Sequence, residues 1–469
     1  MFDLRSTLLA AARRGKTLVR ALLVMLAAHA ASAGAQAVPV APYASVLSLH
    51  DVLDSALARH PLAEAARARV RAAHGMRISA GALGNPVLSY DVENAPFPRS
   101  TLRSPMDRET MTTATLPLES ITQRFPRARR ADAQVRAAEA DARGVGQQLA
   151  LDASRAFFQT ALAQVRIEIA RDLTTWLDSV VTYNRVRVEE GIAAEADLIR
   201  AELERDRAEA QLTMHEAERA RMRAELAAFL GDAESPVSHI VVAVDDVPMR
   251  LPSFADSVVE RTDGMYVVPS SVVRTGVDRR PDVRAARERL EAAGSGISVE
   301  RFSIVRELGA TLGTKRTAGT TSMMAGLSMP LPLFDPNRGE IARASAERDA
   351  AAFELAARER TARAELAGAY EAARLLTERA SLLIRTPNGR PSFLARADEA
   401  RRIALGAYRE GAVPLLQVID AARAWGEARL AFYETLAAQH ESVALLLVAH
   451  GDDLFTTLPA LRGAQPTSR

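Results

Sequence analysis

The residue types that most often carry chemistry are sparse in this sequence, and their spacing argues against a catalytic centre. The 469 residues contain no cysteine, which removes thiolate metal sites, disulfides and a cysteine-linked lipid anchor together. The eight histidines are scattered, at positions including His50, His60, His74 and His440. None forms a His-x-x-x-His or Glu-x-x-His pair on one helix. His60 and Glu64 sit one turn apart, the spacing of an ordinary solvated helix pair. Asp335-Pro-Asn-Arg-Gly-Glu340 carries acidic residues but lacks the alternating ligand spacing of a calcium loop, so it reads as a strand-to-helix corner. With no phosphate loop, nucleophile elbow or zinc motif, neither enzymatic activity nor a cofactor is expected.

What stands out is polar and aromatic chemistry beside two glycines, in Glu190-Gly191 and Glu410-Gly411. Asp197 follows Gly191 by six residues, Gln417 and Asp420 follow Gly411 by six and nine, and Tyr408 precedes Gly411 by three. The plain structural alternative is that Asp197 favours a helix N-terminus and Tyr408 packs.

The elements that hold these residues come in two copies. His60-Pro-Leu-Ala-Glu-Ala-Ala-Arg-Ala-Arg-Val-Arg-Ala-Ala73 resembles Arg280-Pro-Asp-Val-Arg-Ala-Ala-Arg-Glu-Arg-Leu-Glu-Ala-Ala293 at a shift of 220 residues, and the two Glu-Gly pairs repeat that shift. One offset at two distant places marks an internal duplication. Each copy reads as helix, strand, turn, strand, long helix, sharp turn, long helix. The first long stretch, Ala131 to Glu189, has 59 positions without proline, about 90 Å of helix. Leu162, Ile169, Trp176 and Tyr183 recur at heptad steps, with Phe158 and Val165 filling part of the seam. Ala201, Ala208, Leu212, Met222, Leu226 and Phe229 continue it beyond the turn, interrupted at His215 and Arg219. Gly191 and Gly411 stop the first helix of each pair, because glycine tolerates the left-handed conformation of a helix end. Pro414 suits the first turn of the next helix. Between the copies, Gly231 to Val277 breaks the heptads and reads as a linker with a short strand at His239–Val244.

The strands point to a compartment. Val87–Glu93 places Leu88, Tyr90 and Val92 on one face. Ser322–Leu333 places Met323, Ala325, Leu327, Met329, Leu331 and Leu333 on one face and mostly small or polar residues on the other. Thr110–Leu118 and Ile304–Thr314 alternate more weakly. Segments of about ten residues with such alternation suit a transmembrane barrel, although a soluble sheet alternates too. No mature stretch is long and apolar enough for a membrane helix, and the helices leave little globular core for these strands to cover. Lipid contact is therefore expected at Leu88, Tyr90, Val92, Leu327, Met329 and Leu331. Four strands cannot close a barrel, and open edges are not tolerated in hydrocarbon, so chains must combine. Two would supply eight strands and three would supply twelve.

The first residues read as an export address. Arg13, Arg14, Lys16 and Arg20 precede the short apolar run Ala21–Ala30, and Ala31-Ser32-Ala33 or Ala35-Gln36-Ala37 offers a cleavage site. The run is too short to span a bilayer. Removing residues 1–33 takes away five basic residues and one acid, which turns the formal charge of +2 into about −2 and removes the case for nucleic-acid binding. The expected layout is a leader at 1–33, a first repeat at 34–231, a linker at 232–277, a second repeat at 278–455 and a polar tail at 456–469.

Asn85-Pro-Val-Leu-Ser-Tyr-Asp-Val-Glu-Asn94, Pro330-Leu-Pro-Leu-Phe-Asp-Pro-Asn-Arg-Gly-Glu-Ile-Ala-Arg343 and the two glycine-centred turns resemble the TolC-like outer-membrane efflux channels, over about Leu49 to Leu454. The resemblance implies a mainly α fold with a transmembrane β part: a homotrimer with a twelve-stranded barrel and an α-helical tunnel through the periplasm. It further implies docking of the helical tips onto a periplasmic adaptor and an inner-membrane pump. The Asn-Pro…Val-Glu-Asn stretch is similar to the branch serving divalent-cation efflux, so the cargo that the resemblance implies is divalent metal cations or small toxic compounds. By the same resemblance Asp197, Tyr408 and Asp420 match positions that pinch the periplasmic mouth closed, with Gln417, Glu190 and Glu410 beside them. A Tyr408–Asp197 hydrogen bond is the expected lock. Val413 stands where better-known members carry a locking arginine. The loop Pro96–Arg108 is longer than its counterpart Lys315–Thr320, and Thr386–Pro391 is an added segment in the second repeat. A periplasmic coiled-coil adaptor without a barrel is the competing reading.

Overall fold

Long helices repeat at one constant shift through the chain. In the first copy they are α1 (Leu49–Arg59), α2 (Pro61–Ala80), α3 (Glu119–Glu189) and α4 (Glu195–Leu230), with strands β1 (Val87–Glu93) and β2 (Glu109–Pro117) between α2 and α3. The linker holds the short α5 (Ser253–Asp256) and the two-residue strands β3 (Arg261–Thr262) and β4 (Met265–Tyr266). The second copy comprises α6 (Ser270–Arg279), α7 (Pro281–Phe302), β5 (Gly309–Thr317), β6 (Thr320–Ser328), α8 (Arg338–Ile384), α9 (Phe393–Arg409) and α10 (Leu415–His450), and α11 (Leu454–Arg462) follows. This computed structural model describes residues 46–95, 108–231, 240–244, 248–256, 261–262, 265–266, 268–304, 308–329, 331–385 and 391–462. The expected leader at 1–33, nearly all of the expected Pro96–Arg108 loop and residues 386–390 lie outside them.

The duplication is exact to the residue in places. α4 and α10 each have 36 residues, and both their starts and their ends are 220 positions apart. Gly231 and Gly451 end them with φ of +70° and +78°. Each glycine abuts the end of the first helix of its own copy. A Cβ on Gly231 would meet the Arg59 Cβ at 2.7 Å, and one on Gly451 would meet the Arg280 nitrogen at 2.8 Å. Neither site has room for a side chain. α3 is continuous over 71 residues, about 106 Å. It starts earlier than expected and runs through Pro126. Its counterpart is divided into α8 and α9, and the added segment lies between them.

Local signals explain the shorter elements. Ser48 caps α1: its Oγ accepts from the Asp51 N–H at 3.2 Å, and the Asp51 carboxylate accepts from the Ser48 N–H at 2.9 Å. His60 ends α1 and caps α2, its Nδ1 accepting from the Leu62 N–H, while its ring stacks on Phe229. Glu64 pairs with Arg67 instead. Asn337, left-handed at φ +62°, turns the chain from strand to α8. The Asp335 carboxylate accepts its N–H, and its side-chain amide donates to the Glu300 carbonyl.

Three expected boundaries change. The strand at 239–244 reduces, within the described residues, to one bridge between Leu47 and Val242, and the buried Gln164 takes up the Val242 backbone groups. The Gln164 amide donates to the Val242 carbonyl and accepts from its N–H, both at 3.0 Å. Gln439 does the same for Met249 at 2.9 and 3.0 Å. α6 begins inside the expected linker, and it matches α1 at the repeat shift. The supposed polar tail starts as α11, with Leu454 and Leu458 fully buried.

The main sheet is antiparallel in the order β1-β2-β5-β6. Its register joins the two hairpins through Ala114 opposite Leu312 and Thr113 opposite Gly313. One face collects Leu88, Ala114, Leu312 and Ala325 in one row, and Tyr90, Thr112, Thr314 and Met323 in the next. Leu116, Ala310 and Leu327 form a further row of that face. The opposite face carries hydroxyl ladders, Ser89 to Thr113 at 2.6 Å and Thr115 to Thr311 at 2.9 Å, and a Lys315–Glu109 ion pair. The second hairpin turns on two residues, Ala318 and Gly319, at φ +51° and +85°, the two positive values a tight primed turn requires. The turn is thus shorter than the expected Lys315–Thr320 loop. β6 ends at Ser328, paired with Gly309, the first residue of β5. Met329 and Leu331 therefore lie outside the strand, contrary to their assignment, because the pairing of β6 with β5 ends at Ser328 opposite Gly309. Pro332 could not donate to a ladder in any case. Both residues remain exposed.

Candidate functional site at the paired helical turns

The two helix–helix turns are copies of each other in backbone geometry. Gly191 and Gly411 have φ of +73° and +76°. At the first turn the Ile192 N–H donates to the Arg187 carbonyl at 2.8 Å and the Gly191 N–H to Val188 at 2.9 Å. At the second, Ala412 donates to Ala407 at 2.8 Å and Gly411 to Tyr408 at 3.0 Å. This is the paired closure of a left-handed helix end. Asp197 and Gln417 then stand at equivalent positions, their N–H groups donating to the Ala194 and Pro414 carbonyls. Glu190 and Glu410 cap the preceding helices and are exposed.

Side chains from both copies meet just behind the turns. Val180, Val181, Ala201, Tyr408, Leu415, Val418 and Ile419 form a buried cluster, with Val413 packed against it. Tyr408 is 5% exposed and Asn184 fully buried. The Tyr408 hydroxyl donates to the Asn184 Oδ1 at 2.5 Å. The Asn184 amide in turn donates to the Val180 carbonyl at 2.8 Å. Tyr183 meets the Tyr408 ring edge-on at 5.9 Å between centroids. The Arg187 guanidinium lies 5.6 Å from the Tyr183 ring centre and 5.5 Å from that of Tyr408, within cation–π range.

The expected lock is therefore half present. Tyr408 is at the junction of the two hairpins, but its hydrogen-bond partner is Asn184, not Asp197. Asp197 is half-exposed in the first turn of α4 and acts on Tyr408 through its charge. Burial pushes the Tyr408 phenol above its ordinary pKa, opposed by the Arg187 charge and the Asn184 hydrogen bond, while Asp197 adds to the rise. Gln417 and Asp420 are exposed, and Asp420 lies 4.0 Å from Arg423. Sequence reasoning passed over Asn184 and Arg187. Their one signal is an amide and a cation one turn apart beside a seam tyrosine, and it gains meaning only when the second hairpin lies opposite.

Residues 52–232 and 274–452 match the family model described as outer membrane efflux protein. The chain belongs to that family. The match runs through both copies, and it makes this an outer-membrane efflux channel rather than a coiled-coil adaptor. The cobalt-zinc-cadmium resistance protein CzcC of Cupriavidus metallidurans is 24% identical over 413 residues, 87% of this chain and 91% of that protein. Among solved structures, CusC superposes with a TM-score of 0.68 at 17% identity, over 89% of this chain and 96% of its own. VceC from Vibrio cholerae gives 0.66 at 19% identity, over 86% and 96%. These likenesses agree with the mainly helical fold and its four-stranded sheet. Among the described residues no helix is long and apolar enough to cross a membrane.

Proposed function

We propose that three copies of this chain close a twelve-stranded barrel in the outer membrane and a helical tunnel below it. The assembly works as the passive exit duct of a tripartite efflux system, and divalent metal cations are its cargo. The observation that carries the proposal is the sheet. It has one largely apolar face, one hydroxyl-rich face and, among the described residues, two unpaired edges, β1 and β6, a combination that hydrocarbon tolerates only when the edges are closed by further strands. Leu88, Tyr90 and Leu327, exposed in the single chain at 76%, 64% and 71%, then face lipid, with Val92 on the same face. Ser89 and Thr113 face the lumen. The choice of three copies, and of a periplasmic adaptor and an inner-membrane pump as partners at the helical turns, rests on the family. The cargo rests on the CzcC likeness, and exposed carboxylates at Glu190, Glu410 and Asp420 suit a cation path.

The test is fractionation and cross-linking of the expressed protein, followed by metal tolerance. A trimer in the outer-membrane fraction that restores zinc, cobalt or cadmium tolerance to a host lacking such a channel is the expected result. Recovery as a soluble periplasmic monomer overturns the channel. A membrane trimer that restores tolerance only to organic toxins overturns the cargo.

A further inference from the structure

A cavity of about 730 Å³ opens where the linker, α6 and the end of α10 meet α11. Its polar wall includes Arg250, Ser271, Thr275, Arg279, His450 and Asp452, and Phe254, Val272 and Leu461 supply apolar surface. His450 is 3% exposed. Its Nδ1 is 2.9 Å from the Asp452 carboxylate, which also accepts from Arg279 at 3.1 Å. Phe254 stacks on the imidazole at 3.8 Å between centroids.

The first copy provides an internal control. At the repeat shift, His450 corresponds to Leu230, buried at 3%, and Gly276 to the fully buried Ala56. The same corner thus packs with ordinary apolar residues in one copy. In the second copy a Cβ at position 276 would come within 2.8 Å of the His450 ring and 2.9 Å of Leu366. A glycine inside a helix costs stability relative to alanine, so the second copy gives up packing to seat a histidine. Folding did not demand that exchange. On the cavity's rim Arg250 is exposed and, among the described residues, forms no ion pair.

We propose that this cavity binds an oxyanion group, a phosphate or carboxylate, carried by a small molecule with an apolar portion. Arg250 supplies the charge, and Arg279, one N–H of which is held by Asp452, adds its remaining donors to the fork that fits such groups. Ser271 and Thr275 add hydroxyls, and Phe254, Val272 and Leu461 cover the apolar part. The volume is in the range of small-molecule sites. The site is distinct from the helical turns and from the sheet, and it gives the channel a ligand-responsive element in its linker region.

The purified full-length protein in detergent is titrated with inorganic phosphate and, separately, with hexyl phosphate at constant ionic strength, and its thermal midpoint is followed. A saturable rise is expected for both. Hexyl phosphate should act at about tenfold lower concentration, the gain from roughly two buried methylenes. Arg250→Gln, at an exposed position that should not affect folding, should raise the half-saturation at least tenfold, and Arg279→Gln should do likewise. A midpoint that does not move, or that moves equally in wild type and Arg250→Gln, overturns the site. Phosphate acting as strongly as hexyl phosphate overturns the apolar part and identifies the ligand as the free anion.

Discussion

Tyr408→Phe is the substitution that tests whether the Tyr408–Asn184 bond latches the hairpins together. It removes one oxygen and keeps the ring, so the edge-on contact with Tyr183 and the stacking of Arg187 persist. What is lost is the hydrogen bond to Asn184, and the Asn184 Oδ1 is left without that donor at a fully buried position. An unsatisfied buried acceptor costs about 1–3 kcal/mol. The bond ties α9 of the second hairpin to α3 of the first, so a gate that opens by separating the hairpins breaks it, and its open state loses little by the change. In a trimer the closed state then loses about 3–9 kcal/mol relative to the open one. Taking a population from 99:1 closed to 99:1 open needs about 5.5 kcal/mol. In planar bilayers Tyr408→Phe should show a clear rise in open probability, and cells carrying it should become sensitive to large antibiotics. Asp197→Ala, which removes a charge but no hydrogen bond to Tyr408, should stay close to wild type. A Tyr408→Phe trimer that conducts like the wild type refutes the latch and leaves Tyr408 as packing.

Leu88→Arg or Leu327→Arg should sharply reduce membrane-inserted protein, since arginine facing mid-bilayer costs about 2–4 kcal/mol, whereas Ser89→Arg faces water and should insert; equal losses at all three positions contradict the facing. Gly411→Ala should lower stability by only about 1–2 kcal/mol, the left-handed penalty, because nothing lies within 4 Å of its Cβ position. Gly451→Ala meets the Arg280 backbone at 2.8 Å and should lower the unfolding midpoint more; equal shifts would speak against the packed corner. Burial pushes the Glu441 carboxyl upward against the pull of its Gln159 hydrogen bond and of Arg155. A raised carboxylate pKa favours folding only while the group stays protonated, so its penalty grows as pH rises past the ordinary glutamate value near 4.5. Glu441→Gln should therefore unfold at a higher temperature than wild type at pH 7, with the gap closing below about pH 4.5.

Features with their own local cause were legible in the sequence. Gly191 and Gly411 were readable because a helix end needs a left-handed residue and both stand at the repeat shift. The strand faces were readable because side-chain direction alternates whatever the neighbour. Met329 and Leu331 were misplaced for the complementary reason: alternation continued, but the strand's end is set by where its pairing with β5 ends, which is information on another segment. Asn184 was missed because a buried amide in an alanine-rich seam looks like any surface asparagine until Tyr408 arrives 224 residues later. The linker strand was overread because Val241–Val244 has strand residues, and Gln164 on a distant helix takes the place of a neighbouring strand at Val242. In each case the missing term was a long-range partner.

The Tyr408–Asn184 contact shows where the two copies have diverged. The backbone of the two turns is the same, yet the residue equivalent to Tyr408 in the first copy is Val188, and the one equivalent to Asn184 in the second is Ala404. The two positions are not equivalent in the repeat: Tyr408 corresponds to position 188, four residues beyond Asn184. A hydrogen bond needs a donor on one side and an acceptor on the other. The phenol aimed into a buried site requires an acceptor there, and the amide oxygen of Asn184 supplies it while its nitrogen is satisfied by the Val180 carbonyl. Divergence at Val188 and Ala404 thus leaves this hydrogen-bonding pair in one combination of the copies, Asn184 of the first with Tyr408 of the second. Glycine at the turns could stay unchanged, because the turn geometry is needed equally in both copies. The same logic applies at the linker corner, where Leu230 and His450 occupy one backbone position with different chemistry. In this chain the copies retain backbone where shape is shared and differ in side chain where one copy must meet something other than itself.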